Sequence, residues 1–233
     1  MPQDTRPDAP RVAFDKDMAK GYDARNSALA PISDNMHFLI QLALDDLPDT
    51  ARVLCIGVGT GAEILSLARA RPGWRFVGVD PSSAMLDVCR DRLEAEGLMD
   101  RCELIEGYVQ DAPSDTFDVV LSVLVAHFIQ RADRPAFYTA IRERVKPGGA
   151  YVTAEICQDF DSPDYPVLLE NWKRVQARMG ATPESLEKLP ELLRTNLGVL
   201  SPHDTRALLG AAGFTRVTGF YQAVMIRGFI AQG

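Results

Sequence analysis

Three glycines and one acid carry the chemistry-bearing pattern of this chain. In VLCIGVGTG the apolar run Val53 to Ile56 stops abruptly at Gly57, and Gly57, Gly59 and Gly61 follow at alternate positions. Residues without a Cβ let the backbone turn tightly and come close to a ligand. Asp80 stands 23 residues after Gly57 and closes a second apolar run, Phe76 to Val79. An acid at a strand end, about 20 residues beyond a glycine turn, is placed to accept hydrogen bonds from ribose hydroxyls. The pattern predicts a strand, turn, helix and strand that together hold a nucleotide-like cofactor.

The elements that must position those residues follow from periodicity. Val53–Ile56, Arg75–Val79, Cys102–Ile105, Phe117–Val123 and Ala150–Ile156 are short, almost wholly apolar runs, which is the signature of strands buried on both faces. Helices alternate with them: Glu63 to Ala70, then one opened by Pro81-Ser82-Ser83 with Met85, Leu86, Cys89 and Leu93 as its buried stripe, then Pro135 to Val145. Such alternation implies right-handed crossovers and a parallel sheet covered on both faces. Before the first strand, the pattern reads as two helices separated by a break near Pro31, the second spanning Met36 to Leu47. Lys146-Pro147-Gly148-Gly149 reads as a turn. Cys157 to Leu200 shows no clear strand but two helical stretches, and reads as an inserted helical cap. After a helix at Asp204 to Ala212, Phe214–Tyr221 and Ala223–Ile230 read as an antiparallel pair. Residues 1–11, polar and rich in proline, are expected to be a disordered tail ahead of a single domain at 12–233 with 157–200 as its lid.

Composition narrows the function. The 233 residues carry a formal net charge of −7, which offers no electrostatic footprint for nucleic acid and disfavours such a substrate. No apolar run approaches the roughly 20 residues needed to span a bilayer, and the N-terminus lacks a signal peptide's apolar core, so a soluble, cytoplasmic protein is expected. Cys55, Cys89, Cys102 and Cys157 are widely separated, which suggests buried free thiols rather than a metal site or disulfide framework.

The ordered motifs resemble those of the class I S-adenosylmethionine-dependent methyltransferases. VLCIGVGTG is similar to the family's first motif, GVDPSSAML to its second, DVVLSVLVAHFI to its fourth-strand motif and KPGGAYV to the turn into strand five. FDKDMAKGYD and LLGAAGF are similar to its opening helix and its penultimate helix. The resemblance implies an α/β fold: a Rossmann-like seven-stranded sheet, mostly parallel with an antiparallel last strand, with helices on both faces and the helical cap inserted. It implies S-adenosyl-L-methionine as cofactor. By position, Gly57, Gly59 and Gly61 would lie under its methionine and ribose parts, Asp80 would bind the ribose diol, and Met85 and Pro81 would shape the adenine pocket. Tyr22 would close over the methionine end, and Tyr108 and Val109 would follow strand three at the adenine. Two positions depart from the family: Cys55 stands where an acid is usual, and Tyr108 where an aspartate often reads the adenine, leaving Gln110 or Asp111 to replace it.

Methyl transfer from a sulfonium is a direct displacement, so the protein must chiefly align a nucleophile and exclude water. If the acceptor needs a base, His127 after strand four and Glu155 at the end of strand five are the catalytic candidates, with Asp159 beside them. A lone histidine in an apolar stretch is more often structural, and Trp172 on the cap is more often core than a substrate platform. The reading is a methyltransferase of a small-molecule acceptor, with no metal site and no membrane partner; the apolar C-terminal strands and the cap could bury surface in a homodimer.

Three alternatives stand beside it. The chain also resembles the branch that makes or uses carboxylated S-adenosylmethionine in tRNA wobble-uridine modification, which would want Arg25 or Arg194 near the sulfur. Gly57, Gly59 and Ala62 satisfy the dinucleotide fingerprint of a nicotinamide oxidoreductase, so the turn and Asp80 alone do not choose between the two cofactors. Cys55 and Tyr108 would also suit a cofactor-holding fold that has lost catalysis.

Overall fold

The computed structural model describes Gly21 and residues 26–233, and in them the seven strands form one sheet in the order β3-β2-β1-β4-β5-β7-β6. β1 (Arg52–Ile56), β2 (Arg75–Asp80), β3 (Cys102–Glu106), β4 (Phe117–Val123) and β5 (Val145–Ile156) run parallel. β7 (Ile226–Gln232) lies antiparallel between β5 and β6 (Thr215–Ala223). This is the expected Rossmann-like architecture with its reversed last strand. The tail at 1–11 lies outside the described residues, as does most of the FDKDMAKGYD helix.

Strand β1 shows why the apolar runs had to become central strands. Val53 and Cys55 face one core, with Met36 and Ile40 of α1 (Ala30–Ala43), Ile64 of α2 (Ala62–Ala70) and Leu86 of α3 (Ser83–Ala95). Leu54 and Ile56 face the other, with Phe137 and Ile141 of α4 (Arg134–Arg142) and Leu209 of α7 (Pro202–Ala211). Val53 and Leu54 are fully buried, and each such side chain is worth about 1.5–3 kcal/mol of burial. Successive side chains point to opposite faces of a strand, so only an apolar residue at every position satisfies both layers. Two of the expected boundaries move. Pro31 lies in the first turn of α1 rather than breaking the chain, because a proline there forfeits no helical hydrogen bond. Lys146-Pro147-Gly148-Gly149 lies within the bounds of β5 as an excursion: Val145 pairs with Phe117, and pairing resumes with Ala150 opposite Val119.

The segment 157–200 holds α5 (Tyr165–Arg178) and α6 (Pro183–Thr195), whose Trp172 and Leu193 join the same core as α1 and α2. Its two ends meet. Gln158 N–H donates to the Leu200 carbonyl at 2.8 Å, and Cys157 bridges Leu200. Beneath it, Arg134 and Glu155 form an ion pair with no solvent exposure, Nη2 to Oε2 at 2.6 Å. Arg134 also donates to the carbonyls of Ile129 and Gly198 and to the Tyr138 hydroxyl, which itself donates to Glu155 at 3.1 Å. One guanidinium thus joins helix α4, the end of β5, the loop after β4 and the return of the cap.

Candidate active site

The carboxyl ends of β1, β2, β3 and β4 open into one cavity, which is where open α/β sheets bind ligands. Its floor is the glycine turn. Gly57 N–H and Val58 N–H donate to the Val79 carbonyl at 2.7 and 3.1 Å, which ties the turn to the end of β2. Gly57 has φ +67°, and a Cβ there would lie 2.4 Å from a Val125 methyl, so both conformation and space require glycine. Gly59 differs: at φ +52° it borders the cavity, and a Cβ would meet nothing within 4 Å. No neighbour packs into the space above Gly59.

Asp80 faces this turn, nearly buried, with each oxygen accepting one backbone N–H: Gly59 to Oδ2 at 2.8 Å and Ser82 to Oδ1 at 2.9 Å. Each oxygen of an ionised carboxylate has capacity for one more donor. Burial raises the Asp80 pKa above the ordinary aspartate value, opposed by those two N–H bonds. Ser82 caps α3, its Oγ accepting from Met85 N–H, and this brings Met85 to the rim beside Pro81. Across from them Gly107, Tyr108 and Val109 form the other wall. Asp111 is not among the lining residues; its Oδ2 accepts the Tyr108 N–H at 2.8 Å and closes that short turn, and Gln110 beside it is exposed.

Seven of the predicted cofactor residues therefore meet at one cavity: Gly57, Gly59, Asp80, Pro81, Met85, Tyr108 and Val109. Gly61 is not among its lining residues. A Cβ there would lie 2.6 Å from Cys89 Sγ, so this glycine seats the start of α2 against α3. Tyr22 lies outside the described residues.

Neither proposed base occupies a base's position. His127 is 4% exposed, and its Nδ1 accepts the Ile156 N–H at 3.3 Å. Burial, with the Arg134 charge nearby, pushes its pKa down to about 3. A ring held neutral with Nδ1 as acceptor carries its proton on Nε2, so at neutral pH it is a donor and not a proton acceptor. Glu155 is fully buried, both oxygens engaged by Arg134 and Tyr138, and does not line the cavity. A strand-end acid reads from sequence as a site residue; the arginine that claims it comes from a helix 21 residues earlier. Asp159 is exposed and Trp172 is buried in the cap core.

Cys55 is buried on the α1 and α2 side of the sheet, not toward the cavity. Its thiol is raised well above the usual value, chiefly by burial and then by the Glu63 carboxylate, so it is neutral. Glu63, in the first turn of α2, lies 3.6 Å from His37 Nε2 of α1. Burial lowers the His37 pKa, but the Glu63 hydrogen bond and charge outweigh it and the net shift is upward.

The sequence reading missed the apolar wall made by Leu124, Val125, Phe128, Ile129 and Phe137. Leu124 has φ +58°, a left-handed conformation costly for a branched side chain, held by its N–H donating to the Ala154 carbonyl at 2.6 Å. The wall is bound to the cap, since Gly198 N–H donates to the His127 carbonyl at 2.8 Å. A Cβ on Gly198 would lie 1.9 Å from the Ile129 carbonyl oxygen. Gly198→Ala is therefore expected to destabilise the chain by about 1–3 kcal/mol, the range for forced overpacking, and to weaken ligand affinity at the cavity. Denaturant unfolding and calorimetry check both; an alanine variant of unchanged stability would break the link between cap and wall.

Residues 53–149 match the family model described as a methyltransferase domain. The carboxy-S-adenosyl-L-methionine synthase of Klebsiella pneumoniae (strain 342) is 24% identical over 221 residues, 94% of this chain and 90% of that protein. An O-methyltransferase family protein from Burkholderia thailandensis superposes with a TM-score of 0.67 at 20% identity, over 95% of this chain and 63% of that one. Human N-acetylserotonin methyltransferase, solved with S-adenosylmethionine, gives 0.63 at 17% identity, over 95% and 60%. This chain thus spans less than two thirds of the length of those two structures, and the likeness to them is one of fold.

Proposed function

We propose that this chain, which carries a class I S-adenosylmethionine-dependent methyltransferase domain and is distantly homologous to the carboxy-S-adenosylmethionine synthases, transfers a methyl group to a small-molecule acceptor. The observation that carries the reading is the geometry around Asp80: a carboxylate with one acceptor position free on each oxygen, beside open space over Gly59 and an apolar cleft between Met85 and Val109. Those residues fit the family's cofactor. Asp80 would take the ribose diol, and Met85, Pro81, Tyr108 and Val109 would hold the adenine. When bound, the cofactor supplies a methyl on a positively charged sulfur, already a good leaving group.

The chain's own contribution is alignment and exclusion of water. The apolar wall formed by Leu124, Val125, Phe128 and Ile129 and the cap at 157–200, as a lid, would dry the acceptor side. The net charge of −7 supports a small molecule over a nucleic acid as acceptor. Calorimetry on the purified chain is expected to give saturable binding of S-adenosylmethionine and S-adenosylhomocysteine and none of NADH; binding of NADH alone would sink the reading.

A second reading, formation or use of carboxylated S-adenosylmethionine, is favoured by the length of the match to those synthases. It also needs a cation for the extra carboxylate. Arg194 of α6 is held 4.5 Å over the Phe160 ring and 5.3 Å over that of Tyr165, whose hydroxyl is buried without a partner; Arg25 lies outside the described residues. The mass of the ligand that copurifies separates the two readings.

A further inference from the structure

Helix α7 and the hairpin of β6 and β7 border a second cavity, open to solvent and of about 340 Å³, that shares no lining residue with the first. Two guanidinium groups line it, Arg206 from α7 and Arg227 from β7, and no aspartate or glutamate does. In a chain of net charge −7, two cations facing one concavity without an acid between them is an unbalanced arrangement.

The contacts on each arginine leave its donors available. Arg227 gives one Nη1–H to Gln222 Oε1 at 2.7 Å, a solvent-exposed contact, and its side chain is half-buried at the cavity. Arg206 lies with its Cζ 5.3 Å from the centre of the Phe229 ring, a cation–π contact that uses none of its N–H donors in a hydrogen bond. It reaches this position because Gly219 has no side chain: a Cβ there would lie 3.0 Å from Arg206 Nη2. Gln222, its oxygen taken by Arg227, presents a further amide donor at the same cavity. The lining therefore offers donors and positive charge in one place, with the Phe229 ring under Arg206. Guanidinium donors in this number match the planar or tetrahedral oxygens of a carboxylate or phosphate.

We propose that this cavity is a binding site for a small molecule bearing an oxyanion, a phosphate or a carboxylate, whose charged group sits on Arg206 and Arg227. The proposal does not depend on the reaction at the cofactor cavity. Isothermal titration of the full chain with inorganic phosphate and, separately, with citrate tests it, and the tighter probe distinguishes the two oxyanions. Saturable binding is expected, weakened at least about tenfold by Arg206→Gln and by Arg227→Gln, with S-adenosylhomocysteine affinity unchanged in both. Arg206 is exposed, so its variant keeps the test valid should Arg227→Gln unfold. Absence of saturable binding of either probe, equal affinity in the parent and Arg206→Gln, or displacement of the probe by S-adenosylhomocysteine would each overturn the site.

Discussion

Glu155→Gln is expected to lower stability by about 3–5 kcal/mol, a fall in Tm of roughly 10 °C for a chain of this size. The substitution barely changes shape. What it removes is the ion-pair partner of Arg134 among the described residues, and Arg134 has no solvent exposure. Burial alone would lower the Arg134 pKa, but the Glu155 charge outweighs it and holds the guanidinium above its ordinary value, so this cation cannot escape by losing its proton. It must then be buried among neutral acceptors. Tyr138→Phe is the control: it takes one hydroxyl from the network and leaves the pair, so about 1 kcal/mol is expected. Arg134→Met combined with Glu155→Leu should regain most of the loss, since apolar residues often replace a buried pair without penalty. The effect should reach the cofactor cavity, because Arg134 holds the carbonyl of Ile129, and Ile129 and Phe137 line that cavity. Chemical denaturation of the three variants, with S-adenosylhomocysteine titrations beside them, measures both. A Glu155→Gln chain within 1 kcal/mol of the parent would show that the pair does not organise the site.

The same residues show what a sequence can and cannot convey. The sheet was legible because burial on two faces forces a run of apolar residues, as in Val53 to Ile56, and such runs are visible without knowing the neighbours. The residues around the cavity were legible because a glycine turn and a strand-end acid are fixed in spacing by the unit that holds them. Arg134 was not. At the start of a helix it reads as a surface cation, and only the packing of β5, the cap and the loop after β4 makes it the centre of a buried network. Glu155 was misread for the same reason, as an available acid, when its partner was invisible. His127 was found, but its neutral state follows from burial and its tautomer from the Ile156 N–H that it accepts, a contact between the loop after β4 and the end of β5, 29 residues apart. Pro31 shows the ambiguity at its simplest, since a proline marks a helix start as well as a break. Gly61 belongs to the motif by spacing, yet serves the packing of α2 on α3. Local pattern specifies elements; which side chains are sequestered is settled by what packs against them.

Asp80→Ala is expected to raise the Kd for S-adenosylhomocysteine by about a hundredfold or more while leaving stability nearly unchanged. Two hydrogen bonds from a ribose diol to an ionised carboxylate contribute about 1.5–3 kcal/mol each, and about 1.4 kcal/mol is tenfold in affinity. The stability side follows from the sign of the pKa shift. Burial raises the Asp80 pKa in the folded chain above the ordinary aspartate value, so folding disfavours the ionised form. Its contribution is most favourable below the unfolded pKa and is lost as pH rises through the folded one. At neutral pH the ionised side chain is therefore a burden, offset in part by the N–H groups of Gly59 and Ser82. Removing it relieves that burden but orphans the two donors, and the two changes oppose each other. Affinity in the parent should also weaken as pH falls through the raised pKa, beginning at a higher pH than an ordinary aspartate would give, because a protonated carboxyl accepts fewer bonds. Asp80→Asn should bind weakly at every pH and lose this dependence. Titrations across the acid range, with thermal unfolding at each pH, check the three results together. An Asp80→Ala chain that binds as the parent does would remove Asp80 from the cofactor site and, with it, the geometry on which the methyltransferase reading rests.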